Sequence, residues 1–191
     1  KVVRQKMPVS LELGVMSLAI AYILSIPSGI FMAIRQDTWA DYITRVLTLI
    51  GLATPTFWIG IMIVIILSRE FGWLPPLAYV QLWDDPWVNF QQMIWPALAT
   101  GTSSMAFSAR ITRSSMLEVL RQDYIRTAAA KGLAYRTQII RHALRNALIP
   151  VITLFGLAVT NVASGSVIME TLFGLPGLGQ EFLRAINTRD F

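Results

Sequence analysis

The chain alternates between long uncharged runs and short charged connections. Residues 13–34, 46–68, 86–109 and 146–169 contain no Asp, Glu, Lys or Arg, in runs of 22, 23, 24 and 24 residues. At about 1.5 Å rise per residue, each can cross a hydrocarbon layer of roughly 30 Å as a helix. The third run opens on Trp87, Asn89, Gln91 and Gln92, residues suited to an interface, so its apolar part begins near Met93. A fifth uncharged run, 71–83, has 13 residues and contains Pro75 and Pro76. It is too short and too broken to span, and reads as an interfacial or re-entrant loop.

The pattern predicts an all-α, polytopic membrane helical bundle made of one domain over 1–191, with spans near 11–34, 45–68, 92–116 and 147–169. A set of buried helices in a soluble protein fits poorly, because only 14% of residues are charged and the mean hydropathy is +0.56. The first run is also too long for a signal peptide, and no small-residue cleavage site comes after it.

Orientation is set by Lys and Arg. The connection from Arg110 to Arg145 carries eight of them against Glu118 and Asp123, which places a loop over about 117–146 in the cytoplasm. By alternation the turn around 35–45 is also cytoplasmic, and 69–91 and the C-terminal segment are external. Ten Lys/Arg then lie inside and six outside, Lys1, Arg4 and Lys6 running against the rule. Trp73, Tyr79, Trp83, Trp87 and Trp95 gather about the external loop as an aromatic belt. The net charge of +5 is accounted for by an anionic leaflet, and no nucleic-acid-binding module is present.

Candidate chemistry is sparse. With no cysteine and one histidine, thiolate zinc sites, a cysteine nucleophile and a His-rich metal cluster are excluded, so no catalytic, cofactor or metal residue is assigned. No Gly-x-x-x-x-Gly-Lys-Ser/Thr run exists for ATP, and Pro176 interrupts the Gly174, Gly177, Gly179 cluster, which reads as an external turn. Ser103, Ser104 and Ser108 share a run, but His142 lies in the cytoplasmic loop, against an intramembrane hydrolase. These serines, with Gly101 and Thr102, suit close helix contact or a wet path. Thr54, Thr56, Ser103, Ser104, Thr160 and Asn161 are candidates for a translocation path. Glu12 and Glu170 sit at span borders and read as interfacial, so the middles of the four spans lack the acid that ion-coupled carriers usually place there; an ion-coupled secondary carrier or channel subunit stays the alternative, with its coupling acid in a span outside these four.

The basic loop carries the most specific pattern. Ser115 and Glu118 fit a capping box, and Glu118 to Lys131 reads as a helix stopped by Gly132. Leu120, Tyr124 and Ala128 recur at i, i+4 with Ile125 and Ala129 beside them, and the Ala128–Ala130 triplet allows a partner's close approach. A second amphipathic stretch comes next, with Ile139, Ile140, Ala143, Leu144 and Ala147 on one side and Arg136, Arg141 and Arg145 on the other.

The segment DYIRTAAAKGLAYRTQIIRHALRNALIP, residues 123–150, resembles the EAA loop of permease subunits of binding-protein-dependent ABC importers. MPVSLELGVMSLAIAYILSIPSGI, PTFWIGIMIVIILSREFGWLPP, ARITRSSMLEVL and METLFGLPGLGQ extend the resemblance in order to the dipeptide/oligopeptide branch, in particular its B-type subunit. Arg126, Thr127 and Ala128 stand where the general motif has Glu-Ala-Ala, and Pro150 is displaced from its closing Leu-Pro, both usual in the peptide branch. The resemblance implies a type I ABC importer transmembrane domain, here a partial chain with four recognisable spans and without a first and a last one. It implies a coupling helix formed by Asp123, Tyr124, Arg126, Thr127, Ala128, Ala129, Lys131 and Gly132, seated in a cytosolic ATPase. Further implied are a second homologous permease subunit, two ATPases carrying ATP and Mg, an extracytoplasmic substrate-binding protein, no cofactor on this chain, and a place in a bacterial or archaeal cytoplasmic (inner) membrane.

Overall fold

The computed structural model describes residues 2–75, 78–162 and 167–188, with side chains for 3–75, 78–159 and 167–188. These residues are helical with connecting turns and contain no strand. The order is α1 (Val2–Ile34), α2 (Trp39–Ala53), α3 (Thr56–Phe71), α4 (Pro86–Leu120), α5 (Asp123–Ala130), α6 (Tyr135–Thr137), a π-helical segment (Gln138–Ala143), α7 (Leu144–Val162), α8 (Val167–Leu172) and α9 (Leu178–Thr188).

By length and composition, Val3–Ile34 and Tyr135–Val159 are each apolar enough to cross a membrane, and α2 with α3 would make a third crossing. The single helix expected over 45–68 is in fact two. Proline at 55 lacks an N–H and disfavours helical geometry at Thr54, so α2 stops at Ala53 and Pro55, extended at φ −61° and ψ 137°, caps α3. Helix α4 is long enough to cross but carries Arg110 and Arg113 in its lower half, which lowers its hydropathy. The part of the fourth expected span at 163–166 lies outside the described residues.

The chain divides into two compact units. In the first, Lys1–Ile20, Thr54–Ser103 and Ala158–Phe191, the core is Val9, Leu13, Met93, Ala97, Met169, Phe173 and Leu175, with Trp73, Tyr79 and Trp95 packed against it. Small residues set the spacing. A Cβ on Gly101 would lie 2.8 Å from the Ser17 carbonyl oxygen, and one on Gly60 2.7 Å from the Leu172 side chain. The loop after α3 is held to α4 by side chains: Val80 N–H donates to Gln92, while Asn89 and Gln92 donate to the carbonyls of Val80 and Ala78. Asn89 and Gln92 are therefore buried loop anchors, where the sequence suggested interface residues.

The second unit is Ala21–Ala53 and Ser104–Leu157, with a core of Ala33, Met116, Ile125, Ile139, Ala143 and Ala147. Helices α1 and α4 meet here at Gly29, where a Cβ would sit 2.7 Å from the Ala109 carbonyl oxygen, and the Ser25 hydroxyl donates to Ser108 at 3.1 Å. Outside this core Ile43, Val46, Leu47, Leu49 and Ile50 of α2 and Ile149 and Ile152 of α7 are all exposed. Water would penalise such a surface, whereas acyl chains do not.

Gly29→Ala should cost about 1–3 kcal/mol, because the new methyl meets backbone that cannot yield. Gly156→Ala, with open space around the same atom, should be neutral or stabilising by up to about 1 kcal/mol. Thermal unfolding midpoints in detergent, lower for the first variant and unchanged or higher for the second, check the pair.

Candidate functional site

Helix α4 does not end where the capping-box signal placed a new start. Ser115 lies inside α4, which continues to Leu120 because Met116 is buried in the second unit's core with Leu117, Val119 and Leu120 packed beside it. The ladder breaks at Arg121 and Gln122, and Gln122, extended at φ −71° and ψ 147°, begins α5. Asp123 in its first turn faces the positive end of the helix dipole.

Only Ile125 and Ala128 of α5 are buried, and Ile125 joins the cluster with Ile139 and Ala143. Asp123, Tyr124, Arg126, Thr127, Ala129 and Lys131 are exposed, and the Asp123 side chain is 95% accessible. The alanine triplet thus divides: Ala128 packs on its own unit, and Ala129 and Ala130 face outward. Ala128, expected at a partner's contact, is buried within the chain, where the 100° step per residue puts it on the Ile125 side. The Asn146 amide donates to the Tyr124 hydroxyl at 2.7 Å, tying α5 to α7.

The C-terminus of α5 is closed by a left-handed residue. Gly132 has φ +76°, its N–H donates to the Ala129 carbonyl at 2.9 Å, and Leu133 N–H donates to Ala128 at 3.3 Å. This pair of bonds is a Schellman motif, which ends the helix and reverses the chain. The expected helix, glycine corner and returning helix are present, the return beginning with α6 and the π-helical segment.

Two polar clusters escaped the sequence reading. Asp41, 0% exposed, accepts from Arg113 Nε and Nη2 at 3.0 and 2.9 Å, from Arg45 Nε and Nη2 at 3.2 and 2.6 Å, and from the Asp37 N–H at 3.0 Å. Burial alone would raise the Asp41 carboxyl, but the Arg113 and Arg45 hydrogen bonds, the Asp37 N–H and the Arg113 charge outweigh it and hold the group at about 2. The i, i+4 spacing of Asp41 and Arg45 was legible; the partner 72 residues away was not.

The second cluster centres on Glu170, which is 0% exposed. Its Oε1 accepts from the Ser10 hydroxyl at 2.6 Å and its Oε2 from the Gln180 N–H at 3.1 Å, while Ser10 accepts from the Leu178 N–H. A Cβ on Gly177 would overlap this carboxylate, and one on Gly179 would lie 2.9 Å from Oε2. These glycines admit a carboxylate to a turn that Gly174, at φ +65°, begins. Nearby in the first unit, the Tyr79 hydroxyl donates to Glu12 at 2.6 Å beside a cavity of about 870 Å³. Burial, then the hydrogen bond to Glu12 and its charge, push the Tyr79 phenol far above its ordinary value.

The path candidates are spread along the chain. Thr54 and Thr56 flank the break between α2 and α3, and Ser103 and Ser104 are half-buried on α4. None of these four lines the cavity beside Glu12. The side chains of Thr160 and Asn161 lie outside the described residues.

Because the carboxyl of Asp41 is depressed in the fold, its contribution is complete above its ordinary value of 3.8 and disappears as pH falls toward about 2. Wild type should lose about 2 kcal/mol relative to Asp41→Asn across that window, measured as the difference between their unfolding midpoints. Ser10→Ala, which strips Glu170 of a buried donor, should cost about 1–3 kcal/mol at neutral pH in the same assay.

A family model described as binding-protein-dependent transport system inner membrane component matches residues 25–191. The dipeptide transport system permease protein DppB of Alkalihalophilus pseudofirmus is 40% identical over 202 residues, covering 95% of this chain and 61% of the relative. The oligopeptide transport system permease protein AppB of Bacillus subtilis is 40% identical, covering 100% of this chain and 61% of the relative. The di/tripeptide transport system permease protein DppB of Pseudomonas aeruginosa is 37% identical, with 96% and 61% covered. The chain spans about three fifths of the length of these relatives. A solved structure described as an amino acid ABC transporter with histidines matches the fold with a TM-score of 0.64 at 16% identity, covering 100% of this chain and 81% of that one. Matched by this family model over all but the first 24 residues, the chain belongs to the family of binding-protein-dependent transport system inner membrane components.

Proposed function

We propose that this chain forms half of the translocation path of an ATP-driven importer of dipeptides or oligopeptides, in a bacterial cytoplasmic membrane. It carries out no chemical step; ATP and Mg act on two cytosolic ATPase subunits. A second, homologous permease subunit completes the path, and an extracytoplasmic binding protein delivers the peptide. The names of the relatives support the substrate class.

One observation carries the mechanical part: α5 is a short helix whose inner side is buried through Ile125 and Ala128 and whose remaining residues are exposed. Such a helix works as a lever only if it is stiff and firmly joined to the spans. The Schellman turn at Gly132 and the Asn146–Tyr124 hydrogen bond supply the joints. ATPase closure then displaces Asp123, Tyr124, Arg126, Thr127, Ala129 and Lys131 as one body, and the helices attached behind them switch access from one side to the other.

Ala128→Trp, which puts a large ring on the buried side of α5, and Gly132→Leu, which places a branched side chain at φ +76°, should both lose vanadate-sensitive peptide uptake while still inserting in the membrane. Uptake and transport-stimulated ATPase activity in proteoliposomes measure this. Thr127→Cys should crosslink to the ATPase; ion-gradient-driven uptake without ATP dependence would refute the assignment.

A further inference from the structure

Within the second unit α2 is apolar, yet it contributes no residue to the core of Ala33, Met116, Ile125, Ile139, Ala143 and Ala147. Its buried positions are Asp41, Thr48 and Gly51, while Ile43, Val46, Leu47, Leu49 and Ile50 are exposed. Acyl chains accommodate such side chains as well as protein does, so apolar contact gives α2 little preference for one placement over another. Helix α5, by contrast, shares its cluster with Met116 of α4 and Ala33 of α1, and α4 is wedged against α1 at Gly29.

A carboxylate ties α2 to this body. Asp41, in the first turn of α2 and 0% exposed, accepts Nε–H and Nη2–H from Arg45 of its own helix and the same pair from Arg113 of α4. Two planar forks on one carboxylate set rotation as well as distance, because each guanidinium must aim its donors at both oxygens. The preceding turn serves the same end: Asp37 holds φ +61°, a backbone conformation few side chains adopt, and its N–H donates to Asp41 Oδ2. Apolar groups of the same shape often stabilise a fold as well as a buried ion pair does, and the best-attested use of such a pair is to fix register.

We propose that Asp41 is a positioning residue for coupling: its carboxylate clamps α2 to α4, so that α2 travels with α5 when a partner displaces that helix. This rests on the importer reading above. Arg113 lies about two turns before α4 ends at Leu120, so the clamp sits close to where α5 bears on α4. Without it, α5 still moves α4 through the shared apolar cluster, but α2 slips against the acyl chains and ATP is spent without carrying peptide.

The test uses the complete transporter, with its ATPases and binding protein, in proteoliposomes, and reads ATP hydrolysed per peptide taken up. Asp41→Asn and Arg113→Gln should each raise that ratio about fivefold while ATPase activity persists. Exchanging the charges, Asp41→Arg with Arg113→Asp, keeps one carboxylate between two guanidiniums and should bring the ratio back toward wild type. Glu118→Gln, which removes an exposed acid from the same helix, should leave it unchanged.

A second measurement needs no disabling substitution. The chain has no cysteine, so spin labels at Leu47→Cys on α2 and Glu118→Cys on α4 report a single distance, which should be the same in the nucleotide-free and vanadate-trapped states. A distance that differs between those states overturns the clamp. So does a wild-type ratio in both Asp41→Asn and Arg113→Gln, an exchange variant no better coupled than the single ones, or an equal rise in Glu118→Gln. Absence of vanadate-sensitive uptake in wild type would instead sink the importer reading, and the clamp's role with it.

Discussion

A peptide group surrounded by acyl chains finds no water to bond, so every carbonyl and N–H must be satisfied within the chain. That constraint explains both the preponderance of helix and the character of each interruption. Where the ladder stops, something replaces it. Gly132 and Gly174 turn N–H groups back onto the last carbonyls, and Asn89 and Gln92 supply side-chain partners to residues 78 and 80. Each exit from a helix is a small piece of polar engineering, and the short helix α5 is one of the segments such an exit creates.

Between helices the hydrophobic effect contributes little in lipid, and association rests on close packing and hydrogen bonds. The two units use both means. Gly101 and Gly60 in the first, and Gly29 in the second, permit contacts that a methyl would block. Buried ionisable groups provide the directional part: Glu170 gathers Ser10 and the backbone of the glycine-rich turn, and Asp41 gathers two arginines. Breaking either leaves buried polar groups unpaired, which costs more than the intact contact contributes.

The all-helical class, the short amphipathic helix α5 and its end at Gly132 were legible because they depend on local signals: charge-free length, 3.6-residue periodicity and a residue tolerant of positive φ. Two kinds of feature were not. Local signals compete, and at Ser115 the capping pattern lost to the burial of Met116. At Pro55 the composition read as one continuous span although the ring interrupts it. Long-range pairings leave almost no trace in one sequence. Glu170 sits at the edge of an apolar run, where an acid reads as interfacial, and only the approach of Ser10, 160 residues earlier, reveals the pair as buried. The glycines at 177 and 179 were noticed as a turn, but their purpose, admitting a carboxylate, is visible only in three dimensions.

The π-helical segment Gln138–Ala143 has a consequence for how α7 is oriented. A wide turn of this kind amounts to one residue inserted in an α-helix, and each residue in a regular helix advances the side chains by about 100°. The segment therefore sets the rotational phase of α7: with it, Ala147 and Val151 point to the interior while Ile149 and Ile152 point away. Removing a single amino acid there would straighten the spiral and swing the small side chains out toward the bilayer, so the register of a transmembrane rod is governed by a local irregularity just before it.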